Sequence, residues 1–237
     1  MNIKEHIILE TDDFVAVNKP ANMLTIPDRE GNISVKNYLQ HIYGSIYTVH
    51  RIDRDTSGIV IFARNEATHK QLSQLFESRD IKKYYLGLVH GKPSPPSGTI
   101  DEPIAEHSGK KGVMVINKRG KASVTDYQTL QNFRTYSWMQ FQIHTGRTHQ
   151  IRIHMKHIGH PIVCDDIYGD GKPVYISSIK RKYNLSKSQE EERPILSRLA
   201  LHSWKLQFVL NDKEYSIEAD IPKDLKALLQ QLQKWSV

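Results

Sequence analysis

Ionisable side chains are concentrated in the segment HRIDRDTSG, residues 50–58, which leads directly into the apolar run GIVIF. Asp53 and Asp55 stand there among two arginines and a histidine. A positive charge within about 4–6 Å keeps a carboxylate ionised even where water is partly excluded. An ionised aspartate on such a loop can act as a nucleophile or a general base. The alternative is a salt-bridged turn in which Asp55 or Thr56 caps the local backbone, and the spacing alone favours that alternative.

A second segment, KKYYLG at residues 82–87, combines basic and aromatic side chains. Aromatic rings can stack on nucleic-acid bases while lysines contact phosphates. In a strand, Tyr84 and Tyr85 would point to opposite faces, so at most one of them lines a given site. The alternative is a strand whose tyrosines simply pack inward.

A third segment, HTGRTHQIRIH at residues 144–154, is rich in histidine and arginine. The spacing predicts a helix beginning here, with Thr145 or Thr148 as its N-cap. The amino end of that helix would favour anions. His149 and Arg152 are three residues apart and would therefore be neighbours on the helix.

The histidines and the cysteine of this region raise two further hypotheses. His154, His157 and His160 could suggest a metal site, but the segment has no HExxH pattern and no acidic residue before Asp165. We therefore expect no catalytic metal. Cys164 is the single cysteine, and a lone cysteine in such a setting is more often a small buried side chain than a nucleophile.

The elements that must position these segments follow from hydrophobic periodicity and turn residues. We predict strands over 13–17, 58–62, 84–89, 122–130, 138–143, 206–210 and 215–217. We predict helices over 35–42 (capped by Asn32 or Ser34), after the N-cap Asn65, over 151–158, and from about 220 with Leu225, Leu228, Leu229, Leu232 and Trp235 on one stripe. Loops are predicted over 91–100 and 183–194. This order predicts an α+β fold, with helices flanking a mixed, largely antiparallel β-sheet.

Composition limits the classes of protein that remain. The 237 residues predict one domain over 1–237, and the charge balance of 33 basic against 26 acidic residues gives a net charge of +7. A basic surface is typical of nucleic-acid binders. No apolar run is long enough to span a membrane, and the amino terminus does not resemble a signal peptide. We therefore expect a soluble cytoplasmic protein.

The three segments, in this order, resemble the motifs of the RluA family of pseudouridine synthases. HRIDRDTSG resembles the family's HRLDxxTSG, residues 82–91 resemble its KxYxAxVxG strand, and TGRTHQIRIHMKHIGHPIV at 145–163 resembles its TGRxHQIRxHxxxxGHPI. Weaker matches occur at 17–20, 120–122 and 201–202. The resemblance is to short members without an accessory RNA-binding domain.

That resemblance implies a pseudouridine-synthase catalytic domain that isomerises specific uridines in structured RNA, 23S ribosomal RNA or transfer RNA or both, without a metal or cofactor. It implies that Asp53 is the essential aspartate, with Tyr85 and Arg152 as the other catalytic residues. Arg51 matches the position that helps to fill the gap left by a flipped base. Extruding a uracil costs a few kcal/mol, and an arginine beside Asp53 could occupy the vacated stack.

The remaining candidate RNA contacts are Arg147, His149 and Lys121, with basic residues in 109–121 and 179–187. We expect no DNA or membrane partner and a monomeric protein. The excursion over 170–197 differs most from the family pattern and could alter the choice of RNA. Two other hypotheses stay open: a non-catalytic RNA-binding protein on the same scaffold, and a histidine-metal hydrolase.

Three departures from the family pattern carry structural expectations. Asn22 stands where the family usually has glycine, and asparagine tolerates positive φ better than most residues. Gly87 replaces an alanine and should loosen its strand slightly. Cys164 replaces a glycine, so we expect the loop before Asp165 to have shifted if that glycine had a positive φ.

Overall fold

A computed structural model describes residues 2–180, 183 and 191–236 of the chain. The chain forms two compact units, Met1–Tyr85 with His202–Asp220, and Leu86–Leu201 with Ile221–Val237. Each unit therefore combines segments that are distant in sequence, and the chain passes from one unit to the other inside two of its strands. The single catalytic domain predicted over 1–237 remains a prediction.

The first unit is built on a mixed sheet. Its elements are β1 (Ile7–Glu10), β2 (Phe14–Lys19), α1 (Val35–Tyr43), β3 (Tyr47–Thr48), β4 (Ser57–Ala63), α2 (Glu66–Ser78), the start of β5 (Lys82–His90), most of β11 (Leu201–Leu210), and β12 (Lys213–Glu218). The strand order is β1-β2-β4-β11, with β3 paired to β4 and β12 to β11. The pair formed by β4 and β11 is parallel, whereas β1–β2, β2–β4, β3–β4 and β11–β12 are antiparallel.

Apolar residues cover both faces of this sheet. Strand β4 is buried along its whole length, as its continuous apolar run predicts for a strand covered on two sides. One face packs with Leu72 of α2, and the other with Val35 and Leu39 of α1. Helix α1 begins with a capping box made by Ser34 and Asn37, so Ser34 rather than Asn32 is the N-cap.

Within the described residues, the second unit contains a β-sheet, a separate hairpin and three helices. Its elements are the rest of β5, β6 (Ser97–Asp101), β7 (Ile104–Glu106), β8 (Met114–Ile116), β9 (Val124–Asn132), β10 (Tyr136–Ile143), α3 (Gln150–His157), α4 (Ile176–Ile179) and α5 (Lys223–Trp235). The strand order is β5-β10-β9-β6, and β7 pairs with β8 in the hairpin.

These elements confirm the predicted fold class of largely antiparallel strands flanked by helices. Asn65 caps α2 as predicted, and Asn211 and Asp212 form the predicted turn with φ values of 51° and 59°. The predicted loop over 91–100 is partly wrong, because Ser97–Asp101 pairs with β9 and the pairing overrides weak strand propensity. Trp235 is 41% exposed rather than part of the buried stripe.

Two of the predictions concern residues that the structure describes only in part. The predicted loop over 183–194 lies largely outside the described residues, as does the centre of the 170–197 excursion. Within the described part of the chain, no helix combines the length and apolar character needed to cross a membrane.

Candidate active site

A buried lysine at the end of β2 fixes the loop that carries Asp53. Lys19 is fully buried. Its Nζ donates hydrogen bonds to the carbonyl oxygens of Pro20 at 3.0 Å, Met23 at 2.8 Å and Arg54 at 2.9 Å. Because Arg54 is the next residue after Asp53, this ammonium group fixes the backbone immediately beside the candidate catalytic carboxylate.

A threonine fixes the backbone on the other side of Asp53. Thr25 Oγ1 donates to the carbonyl of Ile52 at 3.0 Å and accepts from the Ile52 N–H at 3.3 Å. Within the loop, the Thr56 N–H donates to the Asp53 carbonyl at 3.2 Å, which closes a turn. Asp53 itself is half-buried and Arg51 is exposed, so the carboxylate lies on a constrained loop that is still accessible.

The histidine that opens the motif has a structural role. His50 Nε2 accepts a hydrogen bond from the Ile61 N–H at 3.0 Å, and its ring stacks on Phe76 at 4.4 Å. Burial, together with the positive charge of Lys83, lowers the pKa of His50 to about 3. The neutral ring therefore anchors the start of the loop to strand β4, since a doubly protonated ring has no nitrogen that can accept.

Ser57 and Gly58, at the end of the motif, allow β4 and β11 to lie together. Gly58 has φ +113°, and a Cβ there would lie 2.1 Å from the carbonyl oxygen of Ser203. The buried Ser57 Oγ lies 2.9 Å from His202 Nδ1, and His202 Nε2 lies 3.2 Å from the Ala219 carbonyl. Because a carbonyl only accepts, Nε2 carries the proton and Nδ1 accepts from Ser57.

Tyr85 lies on β5 and is 8% exposed, whereas Tyr84 is half-buried. Burial raises the pKa of Tyr85 to about 12 and the charge of Asp53 adds to this increase, while a hydrogen bond with the Ser203 side chain opposes it. The electrostatic coupling to Asp53 supports the expectation that these two residues belong to the same site. The phenol keeps its proton at neutral pH.

Arg152 lies on α3 and is 2% exposed. Its guanidinium donates two parallel hydrogen bonds to Asp165. Nε donates to Oδ2 and Nη2 donates to Oδ1, each at 2.7 Å. A longer contact of 3.4 Å reaches Asp166, and the guanidinium lies 5.2 Å above the ring of Tyr168. Charge-assisted bidentate pairs of this kind fix orientation as well as charge, so Arg152 is held rigidly.

The N-terminus of α3 differs from the prediction. Neither Thr145 nor Thr148 is its N-cap; His149 occupies that position with φ 54° and makes no side-chain cap. Thr145 Oγ1 instead donates to the Gln150 side-chain oxygen at 2.7 Å, and that oxygen also accepts from the Arg147 N–H at 3.1 Å. Gln150 therefore organises the turn that a capping threonine would have organised.

The loop before Asp165 has a cysteine where the family pattern has a glycine. Cys164 itself adopts the left-handed conformation with φ 59°, so a positive φ at this position does not require the loop to shift. Asn22, with φ 62°, behaves as expected. Burial raises the pKa of Cys164 to about 11, which disfavours a thiolate and supports the structural reading of this residue.

Two histidines of this region are held by the protein, His154 on α3 and His160 beyond its end. His154 is fully buried between Thr125 Oγ1 at 2.9 Å and the Glu102 carbonyl at 3.0 Å. His160 Nδ1 lies 2.8 Å from the His90 carbonyl. Among the described residues, no group of three or more histidine, cysteine or acidic side chains could hold a metal ion.

The predicted RNA contacts fall at different places. Arg147 and Lys121 line the same cleft of the second unit. His149 Nδ1 lies 2.9 Å from the Tyr168 hydroxyl, so its ring is oriented by a neighbour. Sequence reasoning missed the roles of Lys19 and Asp165, and only the weak match at 17–20 pointed to the lysine.

Comparison with known proteins gives a consistent family assignment. The sequence model of the RNA pseudouridylate synthase family matches residues 13–157. The chain is 32% identical over 240 residues to ribosomal large subunit pseudouridine synthase D of Haemophilus influenzae, covering 98% of this chain and 72% of that protein. The same protein of Escherichia coli K12 is 32% identical over 242 residues, covering 94% and 69%.

Solved structures agree with this assignment. Human RNA pseudouridylate synthase domain containing 1 superposes with a TM-score of 0.71 at 25% identity, covering 96% of this chain and 94% of that one. Human RNA pseudouridylate synthase domain containing 4 has a TM-score of 0.75 at 23% identity, covering 98% and 94%, and shows the shared fold.

The chain belongs to the RluA family of RNA pseudouridine synthases. It is an RNA-binding isomerase that acts on uridine in RNA, as the resemblance of its three motifs implied. Family membership therefore favours the enzyme over both the non-catalytic RNA-binding protein and the metal hydrolase.

Proposed function

We propose that this enzyme isomerises uridine in large-subunit ribosomal RNA, with Asp53, Tyr85 and Arg152 as its catalytic residues. The observation that carries the substrate is the 32% identity, over 98% of the chain, to a protein named ribosomal large subunit pseudouridine synthase D. A ribosomal RNA substrate is consistent with action in the cytoplasm. We propose that the protein acts there as a monomer and without a cofactor, DNA or a membrane.

The reaction breaks the bond between N1 of uracil and C1′ of ribose and forms a bond between C5 and C1′. The proton on C5 leaves to water, and N1 takes up a proton. Three first steps fit an ionised Asp53: attack at C1′, attack at C6, and abstraction of a sugar proton. Each needs a carboxylate that reaches the nucleotide while its backbone stays fixed, and the contacts of Lys19 and Thr25 support that arrangement.

Tyr85 would provide a flat surface for the detached uracil and a hydroxyl close to its ring. Because its pKa is raised to about 12, the phenol is neutral at physiological pH. A neutral phenol donates a hydrogen bond and is a weak base. We therefore assign Tyr85 to holding the base during its rotation rather than to removing the C5 proton as a phenolate.

Arg152 would act through its charge. Guanidinium stays protonated in proteins, and its burial strengthens its interaction with negative charge in the reaction. The rigid pairing with Asp165 keeps the group in one orientation, which suits electrostatic stabilisation that needs no rearrangement during the reaction.

Four further residues would contact the RNA itself. Arg51 is exposed and two residues from Asp53, so we propose that it fills the gap left by the extruded uridine. Arg147, His149 and Lys121 would bind elsewhere on the same RNA, since phosphate contacts supply much of the affinity of such complexes.

Tritium release tests the proposal directly. Forming the new bond at C5 expels tritium from uridine that is labelled at that position. Unmodified 23S ribosomal RNA transcripts and bulk transfer RNA, both labelled at C5 of uridine, are therefore each incubated with the purified enzyme. We expect release from the ribosomal transcript at least tenfold above that from transfer RNA. Release from transfer RNA alone would replace the proposed substrate.

The same assay tests the role of Asp53 through a matched pair of substitutions. Asp53→Asn should reduce release by more than about 10³-fold, since the carboxylate takes part in the bond-breaking step. Asp55→Asn removes the same charge two residues away and should retain activity within about threefold. A fully active Asp53→Asn enzyme, or equal loss in both variants, would contradict the assignment.

A further inference from the structure

A cleft of about 580 Å³ lies within the second unit, bordered by three separate segments. One wall is the β7–β8 hairpin, the second is the turn at 119–121 before β9, and the third is the loop at 146–148 before α3. Neither Asp53 nor Tyr85 borders it. The cleft is therefore formed without the two proposed catalytic residues of the first unit.

The charges around this cleft are mostly positive. Arg119, Lys121 and Arg147 border it, against one acidic residue, Glu106. The Glu106 carboxylate accepts a hydrogen bond from the Gly112 N–H at 2.8 Å, which directs it towards the turn of the hairpin. The lining thus favours an anionic ligand.

Backbone contacts hold two of these walls together. Ile104 and Lys121 pair in both directions, with N to O distances of 2.8 and 3.0 Å. Gly120 makes this close approach possible, because a Cβ there would lie 2.5 Å from the Ile104 carbonyl carbon. Arg147 Nε donates to the Ala122 carbonyl at 3.2 Å. The backbone that carries these cationic side chains is therefore already ordered, which lowers the entropic cost of binding.

The remaining lining combines apolar side chains with Thr148 and two glycines. Ile104, Ala105 and Met114 of the hairpin form one wall. A site for a simple anion does not need an apolar wall, whereas a nucleotide presents a phosphate and a flat, largely apolar base face. The combination of a cationic rim and an apolar wall distinguishes a nucleotide from inorganic phosphate or an acidic peptide.

We propose that this cleft binds one nucleotide of the RNA substrate away from the reacting uridine, with its phosphate at Arg119, Lys121 and Arg147 and its base against Met114. The inference rests on the proposed RNA substrate and adds a specific second binding position. It assigns Arg119 and Met114 roles that the three motifs do not contain.

Equilibrium binding separates this proposal from the proposed function. Fluorescence anisotropy is measured with labelled, unmodified 23S ribosomal RNA transcript and with transfer RNA, from about 50 to 200 mM salt, on protein carrying Asp53→Asn so that no RNA is converted. The test variant adds Arg119→Gln and Lys121→Gln. The control adds Lys223→Gln and Lys226→Gln, which remove the same charge from exposed positions of α5 in the same unit.

We expect the cleft variant to raise Kd about tenfold and to flatten the slope of log K against log salt by about 1 to 2, because each lost phosphate contact removes 0.7–0.9. The α5 control should stay within about twofold. Met114→Ala should raise Kd about threefold at an unchanged salt slope, since it removes apolar contact without charge. Excess inorganic phosphate should raise the Kd for RNA by the same factor in the cleft variant and in the α5 control.

Each other outcome overturns a defined statement. If the Asp53→Asn protein binds RNA and the cleft variant binds equally well at the same salt slope, the cleft proposal and the proposed Lys121 contact are wrong, whereas the proposed substrate and catalytic residues stand. Equal weakening of the cleft and α5 variants would mean that only total charge matters, which also removes the site. Binding of neither RNA by the Asp53→Asn protein would overturn both proposals.

Discussion

The surroundings of Asp53 and of Arg152 show two different ways to hold a charged side chain. Asp53 is half-buried, and the contacts from Lys19 and Thr25 that fix its loop go to main-chain atoms. Arg152 is almost fully buried and is fixed through its own guanidinium by Asp165. The contacts described for the Asp53 loop thus hold its backbone, whereas those described for Arg152 hold its side chain, and each arrangement suits the role proposed for that residue.

The two arrangements should respond differently to mutation. A buried ion pair is only a modest source of stability, but removing one partner leaves an uncompensated charge in a poorly solvated place. Loss of a main-chain anchor leaves unsatisfied carbonyl groups, which cost less per group. The comparison therefore predicts a large stability loss near Arg152 and a smaller loss, with an added kinetic effect, near Asp53.

The largest expected effect is that of Asp165→Asn. This substitution keeps the size of the side chain but removes the negative charge from the buried bidentate pair with Arg152, so the free energy of unfolding should fall by about 3–5 kcal/mol. Asp166→Asn is the control, because Asp166 is 75% exposed and contacts Arg152 at 3.4 Å. It should cost less than about 1 kcal/mol. Urea unfolding measures both, and equal small losses would remove the contrast.

Lys19→Met should have the next largest effect. It removes the ammonium that bonds three carbonyls and should cost about 2–3 kcal/mol of stability. Because the Arg54 carbonyl loses its anchor, we also expect kcat to fall about tenfold or more, with KM changing little. Lys82→Met, at an exposed position on β5, is the control. A destabilised Lys19→Met protein with unchanged kcat would separate Lys19 from the positioning of Asp53.

His50 gives the Asp53 loop a dependence on pH. Its pKa is lowered to about 3 in the folded chain, against about 6.5 in the unfolded chain. Below pH 6.5 the unfolded state binds the proton and the folded state does not. The free energy of unfolding therefore decreases as the pH is lowered. The loss between pH 7 and pH 5 should be at most about 2 kcal/mol.

The substitution His50→Gln tests this dependence, because glutamine can accept from the Ile61 N–H but does not titrate. Unfolding in urea at pH 5 and pH 7 should show a smaller difference for the variant than for the unsubstituted protein. An unchanged difference would mean that other groups cause the acid sensitivity.

Sequence reasoning identified the motif that carries Asp53 and the neighbouring elements because those signals are local. The caps Ser34 and Asn65 and the turn at 211–212 are set by residues within a few positions of each other. The anchors were missed because they act over distance. Lys19 reaches the carbonyl of Arg54, 35 residues away.

The second unit shows the same division between local and distant signals. Asp165 meets Arg152 across 13 residues and a turn at Cys164 with positive φ. The wrong prediction of a threonine cap on α3 has the same cause. The hydroxyl of Thr145 is used by Gln150 and by the N–H of Val124, which belongs to a distant strand.

Tyr85→Phe should have the smallest effect. It tests the role of the hydroxyl of Tyr85. It keeps the aromatic surface and removes one hydroxyl, so kcat/KM should fall about fivefold, equivalent to one hydrogen bond of about 1 kcal/mol. Since the pKa of Tyr85 is about 12, the phenol does not ionise between pH 6 and 9. The single-turnover rate should therefore have the same pH profile in both proteins over that range.

A profile that rises with pH in the unsubstituted enzyme and becomes flat in Tyr85→Phe would show a phenolate acting as base. The burial of Tyr85 would then no longer explain its role, because burial favours the neutral phenol.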